Sequence, residues 1–201
     1  MTIKVAHDIV CPWCWIGISQ ARKLNAEFGV DFEWVGHELY PPTMELPVPS
    51  APAAPVTTNR PPTPSRIELA YAAESMTPPN PKPPYPVRSH LALQACAHAQ
   101  AEGAPRFIES LYIAYWQQGI DLESMDALVE VAREVGLDET RLRAALTELR
   151  YADQIVPYDE PSYAAGVYNV PTFFIGGERY AEQPYSVLRA AVLAARAGSH
   201  A

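Results

Sequence analysis

Two of the three cysteines in the chain, Cys11 and Cys14, enclose the dipeptide Pro12–Trp13 in the motif CPWC. The motif lies where an alternating, strand-like segment gives way to an amphipathic helical pattern. A helix N-terminus stabilises a thiolate through its unpaired N–H groups and its dipole, and proline suits the first helical position. The spacing therefore predicts a redox dithiol, in which Cys11 attacks a substrate disulfide and Cys14 resolves the mixed disulfide.

A structural metal site is the main alternative for these two cysteines. Zinc usually takes four ligands from two close pairs, but the sequence has no second CxxC and no nearby HxxxH. His7 and His37 would have to converge on the cysteines to complete such a site. We therefore predict no bound metal and no cofactor other than the redox-active Cys11–Cys14 disulfide.

Asp8 and Cys96 are further candidates for chemistry near the dithiol. Asp8 precedes Cys11 by three residues, so its carboxylate is a candidate for proton transfer at the resolving thiol; a turn role at the end of a strand is the alternative. His7 is expected to be packed or to face solvent. Cys96 lies in the small, apolar helical stretch LALQACAHAQ, which favours a buried, inert thiol over a third redox group.

The elements that position the motif follow from the hydrophobic periodicity. A strand, a helix and a second strand account for the first 40 residues, and this is the unit from which parallel sheets are built. Near the end of the chain, an apolar segment, a Gly-Gly turn, a short returning strand and a closing helix form a second half. The predicted bounds are 2–8, 11–28 and 31–39 for the first unit, and 170–180 and 185–197 for the second.

Proline and then helical patterns dominate the region between these halves. Fifteen of the 21 prolines fall between Pro41 and Pro86, and proline lacks the N–H donor that helices and central strands need. We therefore predict an extended surface loop over 41–64, followed by a short helix at 65–75. Apolar residues at helical spacing, with glycines at the ends, predict further helices at 87–103, 105–119, 124–136 and 138–152.

Three aromatic residues, Tyr112, Tyr115 and Trp116, fall at helical spacing within the second of these long helices. This spacing is typical of a stripe that faces a core or a groove, and it is not specific enough to indicate a cofactor site.

Composition and charge exclude several classes of partner. The chain has 201 residues, of which 48% are hydrophobic, and a net charge of −8, so an anionic nucleic acid or membrane surface would repel it. The N-terminal residues lack the basic and apolar regions of an export signal, and no apolar stretch is long enough to span a bilayer. We expect a cytoplasmic globular protein, monomeric or homodimeric, without nucleic-acid or membrane partners.

The segment HDIVCPWCWIG resembles the opening of the DsbA-like thioredoxin-fold oxidoreductases, most closely their FrnE-type branch. Similar motifs recur in the family's order in WVGHEL, VGLD, YADQI, GVYNVPTFFIGGERY and QPYSVL. The resemblance implies an α/β, thioredoxin-like fold that carries an inserted α-helical subdomain. It implies a core made of residues 1–40 and 164–201, a proline-rich loop at 41–64 and an inserted helical subdomain at 65–163.

The activity implied by the resemblance is that of a protein-disulfide oxidoreductase or isomerase. The partners are then thiol- or disulfide-containing proteins, or glutathione as a co-substrate. Val170–Pro171 resembles the family's cis-proline position, and a proline that opens an apolar strand is itself a candidate for a cis bond, although a trans proline on an edge strand is the alternative. Pro12, Trp13, Val170 and Pro171 are the predicted substrate-binding residues, with the Val170 backbone pairing with an extended peptide.

The uncharged Trp13 bears on the redox potential. DsbA itself has a histidine at that position, and without an imidazolium the Cys11 thiolate loses one source of stabilisation. We predict a dithiol that is less oxidising than that of DsbA and is reduced at rest in the cytosol. Glu182 departs from the family pattern and alters the charge near the predicted groove.

Two alternatives remain open at this point. The 2-hydroxychromene-2-carboxylate isomerases and kappa-class glutathione transferases resemble this architecture and use glutathione, but they carry serine where this chain has Cys11. A non-catalytic binding module, with cysteines that are vestigial or hold metal, is the second alternative. Replacement of Cys14 should stall a dithiol mechanism at the mixed disulfide, whereas it should leave an isomerase unaffected. Bound zinc together with no reduction of insulin would favour the binding module.

Overall fold

The computed structural model describes residues 1–48 and 63–198, and its centre is a five-stranded sheet. The strands are β1 (Thr2–His7), β2 (Asp31–Glu38), β3 (Val156–Pro157), β4 (Thr172–Ile175) and β5 (Glu178–Ala181), in the spatial order β3-β2-β1-β4-β5. The helices are α1 (Pro12–Phe28), α2 (Arg66–Ala73), α3 (His90–Ala101), α4 (Arg106–Ile113), α5 (Met125–Glu134), α6 (Glu139–Thr147), α7 (Glu160–Ala164) and α8 (Tyr185–Gly198).

Strand β1 is the centre of the sheet. It pairs in parallel with β2, from Thr2 opposite Asp31 onward, and antiparallel with β4. Its alternate residues Ile3 and Val5 are fully buried. The predicted strand–helix–strand unit at the start of the chain and the predicted hairpin of β4 and β5 are both present. The predicted fold class, an α/β thioredoxin-like fold with added helices, is confirmed.

The sequence analysis did not predict strand β3. Strand β3 has only two residues and pairs with β2 through His37 and Glu38, inside the range predicted as a helical insertion. A two-residue strand has no measurable alternation, and its proline occupies the sheet edge, where a missing N–H costs no ladder bond. The division of the chain into a core and an insertion remains a prediction.

Among the described residues, three of the helices between β2 and β3, namely α2, α5 and α6, begin at side chains that cap them. The side chains of Ser124 and Asp138 accept hydrogen bonds from backbone N–H groups in the first turns of α5 and α6. Ser65 forms a capping box with Glu68 at the start of α2. Helix α4 continues as a π-helical turn over Ala114–Gln118, which no hydrophobic spacing in the sequence predicted.

The predicted proline-rich loop is only partly within the described structure. Residues 41–48 form no helix or strand, whereas 49–62 lie outside the described residues. After them the predicted helix at 65–75 is present as α2. Across the described ranges, no helix combines the length and the apolar content needed to cross a bilayer.

Candidate functional site

Cys11 is the N-cap residue of α1, and Pro12 occupies the first helical position. The Cys11 carbonyl accepts hydrogen bonds from the N–H groups of Cys14 and Trp15, at 3.0 and 3.1 Å, so the helix starts directly at the motif. Cys11 keeps 5% of its surface accessible, whereas Cys14 has none. Both are free thiols, and this asymmetry places Cys11 towards the solvent and Cys14 beneath it.

Cys14 is held as a neutral thiol by its surroundings. Burial, followed by the hydrogen bond and the charge of the neighbouring Cys11 sulfur, raises the pKa of Cys14 well above its ordinary value. The backbone N–H of Asp8 donates to Cys14 Sγ at 3.5 Å and acts in the opposite direction. Cys14 therefore needs a proton acceptor before it can act as a nucleophile.

The segment predicted to face the dithiol does lie against it. The Val170–Pro171 peptide bond is cis, and the Cys11 thiol donates to the Val170 carbonyl oxygen at 3.2 Å. On the other side of Pro171, its carbonyl oxygen accepts a hydrogen bond from the Glu182 N–H at 3.0 Å. The structure thus brings Cys11, Cys14, Val170 and Pro171 together from opposite ends of the chain.

Gly17 allows α1 to approach Pro171. A Cβ atom at Gly17 would lie 3.0 Å from Pro171 Cγ and 3.3 Å from Pro171 Cβ, which is closer than side chains normally pack. Glycine in a helix interior costs stability relative to alanine, so the close approach of the proline explains its presence here.

Replacement of Gly17 by valine is expected to lower the free energy of unfolding by about 1–3 kcal/mol, the usual cost of overpacking. The added methyl groups would push Pro171 away from the dithiol, so the rate of disulfide exchange should fall as well. Urea denaturation and an exchange assay measure the two effects. The control is Gly198→Val, because a Cβ at Gly198 would meet no atom within 4 Å; equal losses in both variants would refute the packing argument.

Asp8 is a buried residue whose backbone N–H contacts Cys14 Sγ and whose charge contributes to the raised pKa of Cys14. Its two side-chain oxygens accept hydrogen bonds from the N–H groups of Leu39, at 2.7 Å, and Val10, at 3.3 Å. Burial outweighs these hydrogen bonds and raises the pKa of Asp8 from 3.8 to about 6. At neutral pH the group is therefore ionised and sufficiently basic to accept a proton.

Two residues of the predicted aromatic stripe hold the loop that precedes the motif. The Trp116 indole N–H donates to the Ile9 carbonyl oxygen at 2.8 Å, and the Tyr112 hydroxyl donates to the Asp8 carbonyl oxygen at 3.1 Å. Tyr112 also contacts His7 Nδ1 at 3.0 Å, and burial lowers the pKa of His7 to about 3. His7 is therefore a neutral residue packed in the interior, which is one of the two environments expected for it.

An open groove of about 600 Å³ begins at the motif. Its walls are largely aromatic and proline-rich. Trp13 and Pro12 form one end, and Tyr115 and Trp116 of the helical region form part of one side. The remaining lining residues are Val10, Leu39, Tyr40, Ser65, Ile67, Glu68, Tyr71, Pro78, Pro79, Lys82, Pro83 and Tyr85.

Arg66 is a site residue that the sequence analysis missed. Its guanidinium carbon lies 4.4 Å from the centroid of the Trp13 indole, and it forms a 2.7 Å ion pair with Glu182. Arg66 is one arginine in an unremarkable helical segment, and nothing in its spacing indicates that α2 lies over the motif. The sequence analysis placed the charge of Glu182 near the predicted groove but did not identify Arg66 as its partner.

Cys96 lies on α3 and is almost completely buried. Burial, reinforced by the charge of Asp8, raises the pKa of Cys96 above its ordinary value, as expected for an inert thiol.

His37, the other residue considered for a metal site, contacts the Ser162 hydroxyl through Nδ1 at 3.0 Å. Within residues 1–48 and 63–198, no group of three or more His, Cys, Asp and Glu side chains could hold a metal ion.

Comparison with known proteins places this geometry in a family. A family model described as a DSBA-like thioredoxin domain matches residues 2–192. The uncharacterized protein YwbO of Bacillus subtilis (strain 168) is 28% identical over 178 residues, which cover 87% of this chain and 86% of the relative.

Solved structures show the same fold. A probable DsbA oxidoreductase, SCO1869, from Streptomyces coelicolor superposes with a TM-score of 0.69 at 21% identity, covering 98% of this chain and 90% of that one. A 2-hydroxychromene-2-carboxylate isomerase superposes with a TM-score of 0.66 at 16% identity over all of both chains. The family match, which extends over most of the chain and includes the paired cysteines, shows that the chain belongs to the DSBA-like thioredoxin domain family.

Proposed function

We propose that the protein exchanges disulfides with protein or small-molecule thiols through the Cys11–Cys14 dithiol. The observation that carries this proposal is the arrangement of three groups. A slightly exposed Cys11 thiol lies at the start of α1, Cys14 is buried beneath it, and the Val170 carbonyl oxygen lies 3.2 Å from Cys11 Sγ. A helix N-terminus favours the thiolate that attacks a disulfide, and a second thiol one turn away can resolve the mixed disulfide.

The exchange proceeds in two steps when the protein acts as a reductant. The Cys11 thiolate attacks one sulfur of the substrate disulfide, forms a mixed disulfide and releases the first substrate thiolate, which takes up a proton. The Cys14 thiolate then attacks Cys11 Sγ, forms the Cys11–Cys14 disulfide and releases the second thiolate. The substrate gains two electrons, the protein loses two, and the reverse sequence oxidises a dithiol.

Asp8 is the proposed proton acceptor for Cys14. Its carboxyl group is buried in the loop whose backbone N–H contacts Cys14 Sγ, and its raised pKa suits proton transfer near neutral pH. Deprotonation of Cys14 is required only for the second step. Asp8 therefore acts on the resolution of the mixed disulfide and leaves the first attack unaffected.

The groove supports binding of a thiol-bearing substrate against Pro12 and Trp13. The Val170 backbone, whose carbonyl oxygen contacts Cys11, is proposed to pair with an extended segment of a peptide substrate, as an added strand does. Glutathione is proposed as a co-substrate: two molecules of it reduce the Cys11–Cys14 disulfide to the dithiol and leave as glutathione disulfide. The aromatic and proline side chains that line the groove are proposed to determine which thiols bind.

The redox potential tests the proposal directly. We propose a dithiol less oxidising than that of DsbA, which has a potential of about −120 mV, reduced at rest in the cytoplasm and closest in type to the FrnE-type branch. Equilibration with glutathione buffers should give a two-electron transition at a more negative potential, and the protein should accelerate reduction of insulin. A potential near that of DsbA would contradict the cytoplasmic assignment.

The two alternatives give different results in the same assays. A glutathione-dependent isomerase or transferase needs no resolving cysteine, so it would work without Cys14. A non-catalytic binding module would leave insulin unreduced, and stoichiometric zinc in the purified protein would support a metal-holding role for the cysteines.

A further inference from the structure

A charged bridge joins three distant parts of the chain beside the dithiol. Arg66, in the first turn of α2, stacks on Trp13 of the CPWC motif and pairs with Glu182 at the end of β5. Arginine prefers such stacked and paired settings because its guanidinium is planar and always charged. The bridge therefore holds one positive and one negative charge beside Trp13, a residue of the CPWC motif.

Both ends of the bridge are tied to the residues that face Cys11. Trp13 is separated from Cys11 by one residue, and the Glu182 N–H donates to the carbonyl oxygen of Pro171 at 3.0 Å. Glu182 has a left-handed backbone conformation, with φ of 49°, which non-glycine residues adopt at some cost. Such strained positions cluster at functional sites.

Neighbouring charges are already engaged with other partners. Arg66, Glu74 and Glu182 are the charged side chains that line the cavity behind Trp13, counted among the described residues. Glu74 is buried and forms a 2.7 Å ion pair with Lys23, and Glu68, on the groove side of α2, accepts hydrogen bonds from Ser65. Arg66 and Glu182 are therefore the charged residues lining this cavity that pair with each other.

We propose that Arg66 and Glu182 are positioning residues that set the reduction potential of the dithiol in opposite directions. The inference rests on the proposed function and deepens it, because it assigns the electrostatic control of the same site. In DsbA the histidine at the position of Trp13 supplies a positive charge within the motif. Here Trp13 is uncharged, and Arg66 supplies the positive charge from α2. Glu182 offsets part of that charge.

The signs follow from the charges of the two redox forms. In the reduced form a nearby cation stabilises the Cys11 thiolate, the species that attacks a disulfide, and a nearby anion destabilises it, whereas the disulfide carries no charge. Arg66 therefore favours the reduced form and makes the protein a stronger oxidant. Glu182 favours the disulfide and makes it a weaker oxidant.

The test is the equilibrium in which the reduced protein and glutathione disulfide give the oxidised protein and two molecules of glutathione. Arg66→Gln should raise this equilibrium constant about threefold, and Glu182→Gln should lower it about threefold. The two variants should then differ about tenfold, which corresponds to about 30 mV for a two-electron couple. Arg66→Lys keeps the cation and should stay close to the wild type.

Two controls separate the local electrostatic effect from other causes. Arg22→Gln and Glu109→Gln make the same charge changes in an exposed ion pair, and Arg22 lies eleven residues along α1 from Cys11, about 16 Å at the helical rise; neither should change the constant. High salt should reduce the difference between the Arg66 and Glu182 variants, because ions screen exposed charges.

A structural bridge without an electrostatic role gives a different result. Both Arg66→Gln and Glu182→Gln break the same ion pair, so a purely structural effect would shift the constant in the same direction in both variants. That outcome, or no shift in either, would overturn the inference while leaving the proposed function intact. A wild-type protein with no reversible dithiol–disulfide equilibrium would overturn the proposed function itself.

Discussion

Replacement of Cys14 by serine is expected to stop disulfide exchange after the first step and to leave the substrate covalently bound to Cys11. The reason is geometric, because Cys14 is the buried sulfur beneath Cys11 and supplies the thiolate that releases the substrate. Insulin-reduction turnover should fall by about 10³-fold or more, as when a catalytic nucleophile is removed. Mass spectrometry should detect the mixed disulfide, and Cys11→Ser should form none.

The matched control for these variants is Cys96→Ala. Cys96 is buried on α3 and has no place in the exchange, so turnover should remain that of the wild type. Full turnover by the Cys14→Ser variant would contradict the dithiol mechanism. It would favour a glutathione-dependent reaction that needs no resolving cysteine, as in the isomerase and transferase alternatives.

Replacement of Asp8 by asparagine is expected to stabilise the protein and slow the resolving step. Burial raises the pKa of Asp8 from 3.8 in the unfolded chain to about 6 in the folded protein. The folded state thus binds the proton more tightly, and the carboxyl group's contribution to stability falls as the pH rises from about 4 to about 6. Since each pKa unit is worth about 1.4 kcal/mol, the ionised group costs ~3 kcal/mol at neutral pH.

Asp8→Asn should remove most of this cost, so the free energy of unfolding at pH 7.5 should rise by up to ~3 kcal/mol. Asparagine retains one oxygen for the N–H groups of Leu39 or Val10 but leaves the other N–H without its partner, which reduces the gain. The measurement is urea denaturation at pH 4.5 and pH 7.5. The difference in the free energy of unfolding between the wild type and the Asp8→Asn variant should be large at pH 7.5 and small at pH 4.5.

The same variant should affect only one step of the exchange. Without the Asp8 carboxylate, resolution of the mixed disulfide should slow about 10²-fold, the usual contribution of a general base. Alkylation of Cys11 by iodoacetamide should be nearly unchanged, because the first attack does not require deprotonation of Cys14. Asp31→Asn, at an exposed position on β2, is the control for the loss of a carboxylate. Equal slowing of both steps would indicate that Asp8 acts by positioning the loop.

The chemistry of the site could be predicted largely from local sequence. Cys11 and Cys14 lie at a helix start that proline and the hydrophobic pattern mark, and local backbone geometry alone places one sulfur above the other. The capping residues Ser65, Ser124 and Asp138 act over three or four residues, and each was identifiable for the same reason. Short-range rules therefore suffice where the interacting groups lie within one turn.

Other parts of the structure depend on contacts between distant residues. Strand β3 exists because β2 offers it an edge, and its two residues carry no pattern of their own. The π-helical turn places Tyr115 and Trp116 on the groove, and the aromatic spacing predicted a stripe without specifying its partners. Arg66 could not be identified at all, because its partners Trp13 and Glu182 are distant in the chain.

The sequence by itself determined the candidate reacting groups of this protein, the helix that begins at them and most of the order of strands and helices that makes the fold. Only the tertiary structure decided the environment of those groups: the burial that raises the pKa of Asp8, the carbonyl oxygen of Val170 beside Cys11, and the charges of Arg66 and Glu182 beside Trp13. The physical reason is that helix propensity and capping act between near neighbours along the chain. Burial and electrostatic interactions depend on distances in space, which folding alone establishes.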